Sequence, residues 1–186
     1  SGFAFSLISL PLLTMVMPQE SAVPMLALLG LPINAVVLFS SRGQADPKRF
    51  LPLLVAGVAG TLPGILLLQA LPEGPLRLIA GVTVTITAAV YIAGGRVRLR
   101  NERNAMIPVG LVSGILNGLM TFSGPPVIVF LANQEAEKEE FRAGLALYFL
   151  GLNLLSIPML AMRGMLGGGL LTATAQLLPA AALGSV

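Results

Sequence analysis

Long apolar runs separated by short charged clusters constrain this chain more than any motif does. Seven runs can be read: Gly2–Met17, Ser21–Ser41, Phe50–Ala70, Pro75–Gly95, Ala105–Asn133, Phe141–Met162 and Gly168–Val186. A helix crosses a hydrocarbon core of about 30 Å with about 20 residues. Backbone groups find no water to bond in lipid, so helix is the default for all seven. Only 10% of the residues are charged, against about 25% in soluble domains, and the mean hydropathy is +0.89. These features predict an all-α polytopic protein whose main partner is the lipid bilayer.

The charges are informative through their position. The net charge of +3 and the pI near 10.0 do not point to nucleic acid, because the arginines sit between apolar runs, where topology requires them. Arg42, Lys48 and Arg49 follow the second run, four arginines fall within Arg96–Asn104, and Arg163 follows the sixth run. The alternate connections carry Glu20, or four glutamates against Lys138 and Arg142. Counting every run as one crossing places the basic connections in the cytoplasm, with the N-terminus. Arg42, Arg142 and Arg163 are then topology anchors or gating residues. The chain has no Cys and no His, which removes thiol chemistry and the usual zinc ligands, so neither metal nor cofactor is expected. Every acidic residue lies in or beside a connection, which argues against an intramembrane enzyme.

A shift of 121 residues lays "LGLPINAVVLFSSRG" (Leu29–Gly43) on "LGLNLLSIPMLAMRG" (Leu150–Gly164), ending on a shared Arg-Gly pair. Internal repeats of this kind recur in secondary transporters. With one crossing per run, the shift pairs runs of the same direction. It therefore predicts two parallel repeats of about four helices each, with an interrupted helix at the start of each. The expected division is a first repeat over 1–95, a cytoplasmic Arg-rich loop over 96–104 and a second repeat over 105–186. In this register the counterparts of Ala105–Thr121 and of Ile65–Gly95 are not found in the chain, so it reads as cut at both ends, within a protein of eight spans.

The run Ala105–Asn133 would reach about 44 Å as one straight helix, too long for the core without steep tilt. Its middle reads Thr-Phe-Ser-Gly-Pro-Pro (Thr121–Pro126). Proline suits the first turn of a helix, so a stop at Ser123-Gly124 and a new half-helix over Pro125–Leu131, running outward, is predicted. The start of such a helix offers N–H donors and partial positive charge. Thr121 and Ser123 add hydroxyls, Asn117 lies on the same helical face, and Asn153 brings an amide from the next run. This set suits a small oxyanion. The alternative is a packing kink, since small residues also serve close helix contacts; Gly110–Gly114 is read as packing, and Asn34 as either an interhelical hydrogen bond or a ligand. Gly167–Gly169 reads as a flexible turn.

"GFAFSLISLPLL" (Gly2–Leu13), "GLVSGILNGLMTFSGPPVIVFL" (Gly110–Leu131) and "FRAGLALYFLGLN" (Phe141–Asn153) together resemble the sulfite exporter TauE/SafE family, also called toluene sulfonate uptake permeases. The resemblance implies a prokaryotic inner-membrane transporter of small sulfur-containing anions, such as sulfite or organosulfonates. It departs from the family in having fewer glycines at Thr121-Phe122-Ser123. Transport is expected by alternating access around the break, through Asn117, Thr121, Ser123, Gly124, Pro125 and Asn153, with Phe3 and Ser6 of the first run facing them. A passive anion channel and a non-transporting scaffold are the alternatives.

Overall fold

The structure is a computed structural model that describes residues 2–40, 47–92, 102–132 and 138–183; Arg42 lies outside the described residues, as does the side chain of Phe3. Among the described residues there are eight helices and no strand: α1 (Gly2–Leu13), α2 (Gln19–Ser40), α3 (Pro47–Ala70), α4 (Glu73–Ile92), α5 (Glu102–Met120), α6 (Gly124–Ala132), α7 (Lys138–Met162) and α8 (Gly168–Leu183). Three are long and apolar enough to cross a membrane: α2, α3 and the Glu140–Met162 part of α7. The fifth run is split as its length requires, into α5 and α6 around Thr121–Ser123.

Glycine sets the direction of the helices. α3 and α5 pack backbone against backbone. A Cβ on Gly110, Gly114 or Gly118 would collide with the carbonyl oxygens of Leu53, Gly57 and Thr61 respectively. Both series advance by one helical turn at a time, so the two helices run parallel in tight contact. Gly110–Gly114 is therefore a packing element, with small residues letting the backbones approach. On α7, Gly144 faces the Phe50 ring, and Tyr148 and Leu152 face Gly57, so α7 also runs parallel to α3. An ion pair between Arg49 and Glu140 ties the starts of those two helices together. α2 runs the other way, its Gly30 against Asn153 and its Asn34 and Val37 beside Phe149 and Phe141.

This geometry corrects the expected topology. Reading Ala105–Asn133 as one crossing put the connections holding Arg49 and Glu140 on opposite faces, yet the two side chains are paired. The reason is that α5 and α6 form a re-entrant hairpin. α5 ends at the level of Gly64, since Gly118 packs there, which is about 22 Å above Arg49 at 1.5 Å per residue. The short connection to α7 spans at most about 20 Å. An outward α6 would leave the start of α7 beyond reach. Phe130 and Leu131 at the end of α6 accordingly share a core with Met106 at the start of α5 and with Phe50, Leu145 and Tyr148. The half-helix therefore returns to the face it came from. Two consequences follow. α2 and α7, which the 121-residue shift superposes, run antiparallel, so the parallel relation is not the one observed. Arg163 lies on the face opposite Arg49, where its carbonyl accepts from Gln69 Nε2 at 3.3 Å.

The shared Arg-Gly pair ends a helix in its second copy. Gly164 takes φ 73°, its N–H bonds the Ala161 carbonyl at 2.9 Å and the Met165 N–H bonds the Leu160 carbonyl at 3.1 Å, the glycine-dependent stop of a Schellman motif. The glycine run that follows is the start of α8 rather than a turn, with the Gly167 carbonyl accepting from Leu170 and Leu171.

Candidate functional site

Five carbonyls at the break between α5 and α6 accept hydrogen bonds that hold it in place. A helix end leaves its last carbonyls without partners, and in lipid each must be satisfied locally. The Asn117 carbonyl accepts from Thr121 N–H at 2.8 Å and the Leu116 carbonyl from Phe122 N–H at 3.3 Å. The Leu119 carbonyl accepts from the buried amide of Gln19 at 3.1 Å, and the Met120 carbonyl from Thr121 Oγ1 at 2.6 Å. The Ser123 carbonyl accepts from Ser113 Oγ at 2.6 Å. Tyr148 OH, itself buried, donates to Ser113 Oγ at 2.9 Å. The tip of the hairpin is thus tied to α7 through α5.

Donors at the break are left over as well. Among the described residues the N–H groups of Ser123 and Gly124 meet no protein acceptor, and Pro125 and Pro126 have no N–H to satisfy. The half-helix α6 starts here, so its positive end meets the break. Thr121 adopts φ 57°, a left-handed backbone that is strained for a β-branched residue. Such strain persists only where surrounding contacts impose it.

Thr121 and Ser123 line a small cavity together with Asn117 of α5, Asn153 and Phe149 of α7, Gly30 and Asn34 of α2, and Ser6 of α1. Its six polar side chains are all buried, at 3–9% exposure. Among the described residues, Ser6, Asn34, Asn117, Ser123 and Asn153 have no side-chain donor bond to protein, and no buried side-chain nitrogen or oxygen is sealed off without a partner. Their polar atoms therefore open into the cavity. Gly30 is needed for this: a Cβ there would stand 2.8 Å from Asn153 Nδ2. The cavity lies near the middle of α2 and α7, holds no formal charge, and measures about 10 Å³, room for about one water.

The structure thus brings together five of the residues singled out in the sequence, Asn117, Thr121, Ser123, Asn153 and Ser6. Gly124 and Pro125 are buried in the first turn of α6 but do not line the cavity. Arg142 and Arg163 are exposed and stand apart from it. Gly30, Phe149 and the supporting Ser113 and Tyr148 were not anticipated, and Asn34 only as one of two readings. A signal existed for two of them. Gly30 lies in the repeated Leu-Gly-Leu, and Asn34 is a lone amide within an apolar helix, which marks function by default. Phe149 and Ser113 look like ordinary filler in an apolar run.

A family model described as "Sulfite exporter TauE/SafE" matches residues 1–186. No curated protein and no solved structure matches the chain significantly.

Proposed function

The chain belongs to the sulfite exporter TauE/SafE family, a family of membrane transporters, and from that premise we propose that the cavity at the Thr121–Ser123 break is where a small sulfur oxyanion binds. The observation that carries this reading is the lining of the cavity. Buried hydroxyls and amides of Ser6, Asn34, Asn117, Ser123 and Asn153 face a common space at mid-depth. Such a site replaces the hydration shell of an anion with neutral donors. It does so without a buried cation, which would bind too firmly for release.

Transport proceeds by alternating access. Pro47 advanced by the 121-residue shift is Gly168, the first residue of α8, and the same shift lays α2 on α7 and α1 on α6. α2 and α7 run antiparallel, so the two halves are inverted repeats, a common basis for exchanging inward-open and outward-open states around a fixed midplane site. Nine of the eleven Lys and Arg lie in or beside connections on the face where α3, α5 and α7 begin. By the positive-inside rule that face is cytoplasmic, in a prokaryotic inner membrane.

Thermal unfolding of the detergent-solubilised protein across sulfite, sulfate, thiosulfate, sulfoacetate, taurine and chloride tests the site. One sulfur oxyanion raises the midpoint, and Ser123→Ala and Asn117→Ala abolish the rise. Hydrogen bonds to a charged partner contribute about 1.5–3 kcal/mol each, enough for at least a tenfold loss of affinity per substitution. Variants that respond like the unmodified protein would refute the assignment and leave the break as a packing kink.

A further inference from the structure

Two larger cavities lie to either side of the polar one, and one of them shares a wall with it. Toward the Arg49–Glu140 face, a cavity of about 220 Å³ is lined by Arg142, Phe141 and Leu145 and has Asn34 and Phe149 in common with the polar cavity. Toward the opposite face, a cavity of about 480 Å³ is lined by Arg77, Thr14, Gln19 and Phe122. Phe122 is the middle residue of the break, and its neighbours Thr121 and Ser123 face the polar cavity. Phe149 is 4% exposed and Phe122 fully buried. Phe149 therefore stands between the polar site and the Arg142 cavity, whereas Phe122 lines the Arg77 cavity alone. Each flanking cavity also carries one arginine, Arg142 near the start of α7 and Arg77 near the start of α4.

The volumes separate the roles of these spaces. Room for about one water does not admit an oxyanion of several heavy atoms, so loading the polar site requires its lining to move. Either flanking cavity admits one readily. A guanidinium at a water-facing mouth attracts anions over distance and binds their oxygens through paired N–H groups. Arg77 already donates to the Thr14 carbonyl at 3.2 Å and pairs with Glu73 at 3.0 Å, which holds it at the cavity mouth with further donors to spare.

We propose that the Arg142 cavity is a staging site for the transported oxyanion and that Phe149 is the gate separating it from the midplane site. The proposal rests on reading the polar cavity as the anion site. Rotation of this one aromatic side chain then joins the staging site to the midplane site.

The chain contains no cysteine, so a thiol placed by Ser6→Cys reports access to the polar cavity. In oriented vesicles, a membrane-impermeant thiol reagent reacts slowly with this variant from either face. Adding Phe149→Ala accelerates the reaction at least tenfold from the Arg142 face alone. Phe149→Leu, which keeps most of the apolar volume, gives a smaller acceleration and controls for unfolding. Arg142→Gln raises the KM for sulfite taken from its face several-fold at unchanged kcat, and Arg142→Lys recovers most of the loss. Equal acceleration from both faces in the Phe149→Ala variant, or none, overturns the gate assignment. Side-specific labelling that sulfite never slows supports the gate and instead overturns the anion site it serves.

Discussion

Replacing Gly114 by alanine probes the contact that positions the hairpin. The new Cβ would overlap the Gly57 carbonyl oxygen and crowd the Gly57 backbone. Neither partner is a side chain, so no rotamer change relieves the clash and α3 and α5 must move apart. Overpacking of a fitted interface costs about 1–3 kcal/mol. A backbone–backbone clash belongs at the upper end, about 2–3 kcal/mol. At roughly 2–4 °C per kcal/mol for a chain of this size, the midpoint falls by roughly 4–12 °C. The displacement also pulls Ser113, one residue away, off the Ser123 carbonyl, so the anion-dependent rise in midpoint shrinks as well. Gly81 on α4 is the control, because nothing lies within 4 Å of a Cβ there; Gly81→Ala in an exposed helix stabilises by about 0.5–1 kcal/mol. Thermal melts of both variants, followed by the helical circular dichroism signal, read the difference directly. A Gly114→Ala midpoint within a degree of the unmodified protein, or shifted in the same direction as Gly81→Ala, would refute the tight parallel packing of α3 on α5.

Cysteines introduced by Arg49→Cys and Glu140→Cys form a disulfide on mild oxidation, detected as a shift in non-reducing electrophoresis after cleavage of an intervening loop; absence of cross-linking counts against the re-entrant hairpin. Losing that half-buried ion pair, 29% and 31% exposed, lowers stability by no more than about 1 kcal/mol, so Arg49→Gln and Glu140→Gln melt close to the unmodified protein. Ser113→Ala strands both the Ser123 carbonyl and Tyr148 OH, each at a cost of about 1–3 kcal/mol. Tyr148→Phe removes only one bond, worth about 0.5–1.5 kcal/mol. Melting midpoints therefore fall further for Ser113→Ala than for Tyr148→Phe. Thr121→Gly relieves a left-handed β-branched residue, a gain of about 1–2 kcal/mol, but costs backbone entropy and strands the Met120 carbonyl that the Thr121 hydroxyl satisfies, at about 1–3 kcal/mol. Its melting midpoint therefore stays level or falls.

The apolar runs determined the helices. Their length, their spacing and the scarcity of charge leave no other structure that satisfies its backbone in lipid. The starts of α2, α3, α7 and α8 fall within about three residues of the runs read from sequence, within the usual scatter of helix ends. The break was legible for the same reason, because Gly-Pro-Pro in an overlong run interrupts the helix. So were five of the cavity residues, since hydroxyls and amides in an apolar run have to face something polar. What the sequence could not supply was direction. A break permits α6 to continue outward or to turn back, and the local chemistry of Gly124-Pro125 is identical in both cases. Only the packing chose, through Gly118 on Gly64, Phe130 beside Met106, and Glu140 against Arg49. That choice set α7 antiparallel to α2 and moved Arg163 to the other face. Phe149 and Ser113 were hidden for a related reason. In a run where every residue is apolar or small, a side chain acquires a role only from the helix brought opposite to it. Tertiary structure alone decides which helix that is.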